Sequence, residues 1–251
     1  MTLRIIDAHA HQWSLFADIE AVRRFLDRTP ELRWLVLASD LRGGYYPSEV
    51  EIAESNRSTL RYMKKFPDRV QGWCYVNPRW KSATDELKRG LDAGLLGLKL
   101  WVATRCTERH TLGVVEAAIA ARVPILVHTY HKATGNLAHE SEPRDMAALA
   151  EQYPEGRFLM AHMGGDWEYG IRAVRHLRNV WVDFAGTINE YGAYEMAVEE
   201  LGPDRVVFGT DLPCDFQYNL GRVLQGNWPR RVLRRILAAN FEEMLGRSLP
   251  E

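Results

Sequence analysis

The chain has 251 residues, 46% hydrophobic and 26% charged, with a formal net charge of -1, as expected of an ordinary soluble protein with room for one large domain or two small ones. It lacks the clustered Lys and Arg that nucleic-acid partners require, and no apolar run approaches the ~20 residues that span a bilayer. Its three cysteines, Cys74, Cys106 and Cys214, are too scattered for a disulfide framework or a zinc knuckle, and the N-terminus leads straight into a strand-like run, so a cytoplasmic protein is expected.

Short apolar runs alternate with longer amphipathic ones along the whole chain. Strands are expected over 3–8, 34–38, 70–76, 97–101, 125–128, 158–161, 180–183 and 206–209. Helical patterns occupy 18–26, 49–66, 85–91, 112–121, 143–153, 170–177 and 194–201, followed by 229–239 and 241–245. Strands that alternate with helices in a chain of about 250 residues have the size and rhythm of an α/β fold, the (β/α)8 TIM barrel. A doubly wound open sheet would carry a glycine-rich phosphate loop after its first strand, where this chain carries histidines. No Pro/Gly/Ser-rich linker divides the sequence, so residues 1–251 are expected to form a single domain. Two long loops, 129–142 and 210–219, follow the fifth and eighth strands and suit a binding or lid role.

Four of the apolar runs end in a metal-ligand side chain: Ile5 to His11, Pro124 to His128, Phe158 to His162 and Val206 to Asp211. One histidine after an apolar run is usually a packed core residue. Several at the same end of parallel strands point to a shared ion. His9 and His11 are two apart, so on a strand both imidazoles face one side and reach one divalent ion at ~2.0–2.1 Å. Asp7 has the same parity one layer deeper, where it would accept a hydrogen bond that orients an imidazole. His128 is the natural third nitrogen ligand. Asp211 either binds the metal or takes a proton from water; a helix cap is the plainer alternative. His162, before Met163-Gly164-Gly165, is a fourth nitrogen ligand, a general base, or a loop anchor. Lys99 interrupts the apolar strand Gly97-Leu98-Lys99-Leu100-Trp101 and needs a task or a partner. An ion pair with Asp7 or Asp183, a grip on an anionic substrate, and a carbamylated bridge between two metals all remain open.

Together these residues resemble the amidohydrolase superfamily, in its amidohydrolase-related (amidohydrolase 2) branch. The resemblance runs in order through the 6–13 stretch around the two histidines, Phe66 to Trp73, Tyr75 to Pro78, Gly97 to Leu100, Ile125 to His128, Leu159 to Gly165, Val207 to Pro213 and Ile236 to Asn240. It implies a metal-dependent barrel enzyme, either a hydrolase of amide, ester or lactone bonds or a non-oxidative decarboxylase of aromatic acids. It also implies His9, His11, His128 and Asp211 as the metal set, with His162 polarising water or substrate. The chain departs from related sequences after Leu100, where Trp101-Val102 stands in place of His-Pro, and no glutamate ends the fourth strand, unlike the dinuclear relatives.

The leading expectation is hydrolysis of a small carbonyl substrate at a single zinc-like centre, with decarboxylation of an aromatic or unsaturated acid as the alternative. A non-catalytic metal-binding scaffold is the reading from another class. Three imidazoles and a carboxylate suit one Zn(2+), with manganese or another divalent ion as the substitute. Trp13, Trp73, Trp101 and Trp167 would suit a flat ring, although most large aromatics are core. Arg105, His110, Lys132 and Arg144 fall near the catalytic end and would hold an anionic substrate, or are solvated surface charges. Homo-oligomerisation is left open by the sequence.

Overall fold

The computed structural model of the chain describes residues 3–12, 18–40, 44–186, 191–212 and 215–250. Helices follow strands throughout. The first half runs β1 (Ile5–Gln12), α1 (Ile19–Arg28), β2 (Leu32–Asp40), α2 (Glu49–Lys65), β3 (Val70–Gly72), β4 (Cys74–Tyr75), α3 (Ala83–Asp92), β5 (Leu98–Leu100) and α4 (Arg109–Ala120). The second half runs β6 (Ile125–Val127), α5 (Pro143–Gln152), β7 (Phe158–Met160), α6 (Trp167–Val174), β8 (Val180–Asp183), α7 (Ala193–Leu201), β9 (Val206–Val207), α8 (Phe216–Gln225), α9 (Arg230–Arg234) and α10 (Asn240–Leu245). Among the described residues no helix is long and apolar enough to cross a membrane.

The strands pair in parallel in the orders β1-β2-β3 and β4-β5-β6-β7-β8-β9. The strand expected over 70–76 is split at Trp73, but its pairing is continuous. The Trp73 amide bonds back to Leu37 O at 2.9 Å, and the Cys74 amide bonds forward to Gly97 O at 2.7 Å. The ring closes where the Ala8 amide reaches Phe208 O at 3.0 Å and the His11 amide reaches Asp211 O at 2.7 Å. The result is the α/β TIM barrel, eight strand positions around one axis with helices outside.

Alternation along the strands sorts the core into two layers. Leu35, Leu37, Leu98, Leu100, Ile125, Val127, Phe158, Met160, Val180 and Val182 face the helices. Trp34, Val36, Trp73, Leu126, Leu159, Trp181 and Val207 fill the barrel interior, joined by Phe241, Met244 and Leu245 of α10. The interior is therefore solid below and polar above, where the strand ends carry Asp7, His9, His11, Lys99, His162 and Asp183, all buried.

Two expectations need correction. The segment 210–219 is not loop throughout, because α8 begins at Phe216 and buries Phe216, Leu220 and Val223, one face at helical spacing. The helix expected over 170–177 starts earlier, at Trp167, because the Asp166 side chain caps it by accepting from the Tyr169 amide at 3.1 Å.

Helix α6 also seats directly on the turn that carries His162. A Cβ at Gly170 would lie 1.8 Å from Met163 O, a backbone atom that cannot step aside. Gly170→Ala is expected to destabilise the fold by about 1–3 kcal/mol or more in chemical denaturation. Gly113→Ala, on α4 where nothing lies within 4 Å of the added carbon, is expected to be neutral or mildly stabilising. Equal effects from the two substitutions would contradict this packing.

Candidate metal centre

The site starts from an irregularity in β1. Asp7 pairs with Leu35 and Ala10 with Leu37, so β1 carries one residue more than β2 over this stretch. Ile6 and Ala8 belong to the interior layer, yet His9 and His11 also meet side chains at the barrel axis. The parity that the sequence assigns jointly to Asp7, His9 and His11 is therefore broken by the bulge. Asp7 is turned to the last strand, where it accepts from Thr210 Oγ1 at 2.7 Å and from the Thr210 amide at 3.1 Å. Among the described residues its side chain bonds Thr210 and the His9 amide (3.3 Å) rather than an imidazole ring, and so ties the first strand to the corner that precedes Asp211. Burial pushes its carboxyl up to about 8 against the pull of the Thr210 bonds.

Each imidazole of the group is anchored by one nitrogen. His9 Nδ1 meets Asp183 Oδ2 at 2.9 Å, and His11 Nδ1 meets the Ser39 carbonyl at 3.3 Å and its hydroxyl oxygen at 3.0 Å. His128 Nε2 meets Glu140 Oε1 at 2.9 Å, and His162 Nδ1 meets the Ala185 carbonyl. Carboxylates and carbonyls only accept, so the anchored nitrogen carries the proton and the other carries a lone pair. Those other nitrogens converge: His9 Nε2 lies 3.2 Å from His11 Nε2, and His162 Nε2 lies 3.0 Å from His128 Nδ1. Asp211 Oδ1 stands 3.6 Å from His9 Nε2 and 3.5 Å from His11 Nε2. The ligand atoms of His9, His162 and Asp211 all lie within 4.8 Å of one another.

With the outer nitrogens protonated and no ring doubly protonated, the inner nitrogens face each other as lone pairs at 3.0–3.2 Å and repel. The Lys99 ammonium, 3.3 Å from His9 Nε2, offsets this effect at the first pair. Two nitrogens bound at ~2.0–2.1 Å to one tetrahedral ion stand roughly 3.3 Å apart, so the same arrangement fits a divalent cation. The protonation states agree. Burial holds His9 and His11 well below the usual histidine range, with Lys99 adding to the effect on both. Burial likewise takes His128 down to about 3. Burial opposes the charge on Asp211, but His162, His11, His9 and Lys99 outweigh it and keep the carboxyl below its ordinary range. Neutral imidazoles around a carboxylate are the ligand-competent forms.

The backbone is strained where it delivers these groups. His162, Met163 and Asp211 have φ of 62°, 45° and 65°, in the left-handed region that costs non-glycine residues of order 1–3 kcal/mol each. Asp183 steadies the first of them. Its Oδ1 accepts from the His162 amide at 2.9 Å and the Ala185 amide at 3.1 Å, while Oδ2 holds His9. Asp211 is no helix cap: α8 starts five residues later, and the Asp211 amide is tied to His9 O at 2.7 Å.

Lys99 is buried with its Nζ 3.3 Å from His9 Nε2. Burial lowers its pKa to about 8, opposed by Asp211 and Asp183. Trp101 lies one layer higher on the same wall, its ring 5.4 Å from Tyr45 and 6.4 Å from Tyr75. Trp13 and Cys214 lie outside the described residues. The expected basic rim is mostly committed elsewhere. Arg144 is an exposed side chain paired with Glu142 at 3.0 Å, His110 meets Glu108 at 3.2 Å, and Lys132 meets Glu140 at 2.7 Å. Arg105 is half-buried, with Nε unbonded. Two participants escaped the sequence reading. Glu140 sits near the end of the loop 129–142 with no local signal. Asp183 ends an apolar run like the other site residues, but was considered only as a partner for Lys99.

The family model described as amidohydrolase matches residues 6–247. The chain belongs to the amidohydrolase family. No curated protein sequence matches it. Solved structures of this family's fold resemble it over almost their whole length. One is the 5-carboxyvanillate decarboxylase of Novosphingobium aromaticivorans complexed with manganese and 4-hydroxy-3-methoxy-5-nitrobenzoic acid, at 15% identity, 97% and 96% coverage of this chain and that one, and TM-score 0.74. Another is the 2,6-dihydroxybenzoate decarboxylase from Rhizobium, at 14% identity, 97% and 99% coverage, and TM-score 0.76. A third is a probable 2-pyrone-4,6-dicarboxylic acid hydrolase from Acinetobacter baumannii with citric acid bound, at 15% identity, 97% and 100% coverage, and TM-score 0.69. The chain thus shares its fold with structures named as two decarboxylases and a probable hydrolase.

A cation that relieves the lone-pair crowding must stabilise the folded state. Zn(2+) or Mn(2+) added to chelator-treated protein at about 100 times its dissociation constant is expected to raise the unfolding free energy by about 2.7 kcal/mol. An unfolding midpoint that moves with neither ion would contradict the metal reading.

Proposed function

We propose that the chain, residues 1–251 acting as one unit, is a metal-dependent hydrolase of a small carbonyl compound, with His9, His11, His128 and Asp211 holding one divalent ion. The observation that carries the reading is the convergence of basic nitrogens beside the Asp211 carboxylate. A divalent ion supplies polarisation of a carbonyl oxygen and acidification of water to near neutral pH. The Asp211 side chain is 22% exposed, against 0% for His9 and 3% for His11, so it faces the mouth from which substrate and water arrive. His162, held rigid through its amide and Nδ1 with the basic Nε2 turned inward, or the Asp211 carboxylate accepts the proton of the attacking water and returns that same proton to the leaving group. Lys99 sets a positive charge against the oxygen that becomes negative. Zinc suits this donor set best, and manganese is the substitute. A small anionic substrate agrees with Lys99 and with the benzoate and citrate ligands of the similar structures.

Decarboxylation is the second reading, favoured by the aromatic wall of Trp101, Tyr75 and Tyr45. Here the bond from ring carbon to carboxylate breaks, the ring carbon keeps the electron pair and takes a proton from His162 or Asp211, and carbon dioxide leaves. A screen of lactones and aromatic carboxylates separates the two, by proton release without gas or by carbon dioxide evolution. His162→Asn is expected to retain metal while turnover falls about 10²–10⁴-fold. His11→Ala is expected to lose metal and activity together. Loss of metal in His162→Asn would make that residue a ligand, and unchanged turnover would transfer the proton step to Asp211.

A further inference from the structure

The least explained charge near the centre is Glu140, a carboxylate only 1% exposed near the C-terminal end of the loop 129–142. A buried carboxylate is costly unless its oxygens are filled. Here both are filled, from two directions. From the strand end, His128 Nε2 donates to Oε1 at 2.9 Å. From the loop, Lys132 Nζ donates to both oxygens at 2.7 Å, and the Leu137 amide donates to Oε2 at 3.1 Å. One side chain is thus both the clasp of the loop and the anchor of a histidine.

The loop is built around that clasp. The Tyr130 amide bonds to Ser141 O at 2.8 Å, and the Lys132 amide bonds to Asn136 Oδ1 at 2.9 Å. The Tyr130 ring lies nearly parallel to His128, with centroids 6.1 Å apart and planes at 17°, while Lys132 Nζ sits 5.4 Å over the Tyr130 ring. His128 is therefore fixed at its edge by Glu140 and flanked on its face by Tyr130, and both residues belong to the loop.

We propose that Glu140, clamped by Lys132, is a positioning residue that fixes the ring orientation and tautomer of His128, so that closure of the loop 129–142 and metal binding are coupled. The proposal rests on His128 being a ligand. A proton held on Nε2 leaves the Nδ1 lone pair turned inward, and a carboxylate partner makes the imidazole a better donor. Without Glu140 the ring is free to rotate and to exchange tautomers. Coupling is reciprocal: a metal that favours the held ring favours the closed loop by the same factor.

The test compares wild type with Glu140→Ala and Glu140→Gln by three readouts. In metal-free, histidine-15N-labelled protein, nuclear magnetic resonance should show His128 as the Nε2-protonated tautomer in wild type and as a mixture in Glu140→Ala. Competition titration with Zn(2+) and with Mn(2+) should give about 10–100-fold weaker binding in Glu140→Ala. Glu140→Gln keeps an oxygen that accepts the same N–H, so it should recover part of that loss and serves if the alanine variant fails to fold. Saturating metal should slow hydrogen exchange of amides 130–141 in wild type and not in Glu140→Ala. A loop clasp with no part in positioning would leave the tautomer and metal affinity of both variants at wild-type values, and that result overturns the proposal. If wild type binds neither ion, the metal reading fails, while the tautomer measurement still decides whether Glu140 positions His128.

Discussion

Histidine rings pack easily, but their basic nitrogens do not pack against one another. In this barrel the nitrogens of His9 and His11, and those of His128 and His162, are held face to face at 3.2 and 3.0 Å by acceptors on their far sides. Relaxing that crowding would mean breaking a bond to Asp183, Ser39, Glu140 or Ala185. Those bonds are buried, and a buried polar group left unpaired costs about 1–3 kcal/mol. The anchors therefore keep the lone pairs pointing inward, and beyond the Lys99 ammonium beside His9 Nε2 a divalent cation is the counterpart that fits the arrangement.

The surrounding fold can be understood as the means of holding that geometry. A parallel barrel brings strand ends from distant parts of the chain to one face. The bulge in β1 then swings both histidines to the axis, and the Asp7–Thr210 bonds lock the first strand to the last. His162 and Asp211 both carry left-handed backbone, over-determined by Asp183 on one side and by the His9 carbonyl on the other. Below the site the interior is filled by Trp34, Trp73 and Phe241, which leaves the upper layer as the place for chemistry.

Much of this was legible in the sequence because it is local. The alternation of apolar runs and amphipathic segments predicts the barrel, and the strand-end positions of His9, His11, His128, His162 and Asp211 predict that they meet. What was hidden depends on contacts made in three dimensions. A one-residue bulge leaves no local mark, so the parity argument that grouped Asp7 with the histidines failed. Glu140 lies in a loop whose course is set by Lys132 and Leu137, and nothing in its neighbours announces a buried carboxylate. Helix α8 overlaps the segment expected as the loop 210–219, although Phe216, Leu220 and Val223 have helical spacing. Arg144 and His110, which the sequence left open between substrate grips and solvated surface charges, pair with Glu142 and Glu108.

The central claim is that one ion completes the cluster at the top of the barrel. The most direct measurement is anomalous diffraction at the zinc and manganese edges from crystals soaked in each ion. The account predicts a single peak per chain, about 2.0–2.2 Å from His9 Nε2, His11 Nε2, His128 Nδ1 and an Asp211 oxygen. Two peaks bridged by a modified Lys99, or no peak among these four residues, would contradict it.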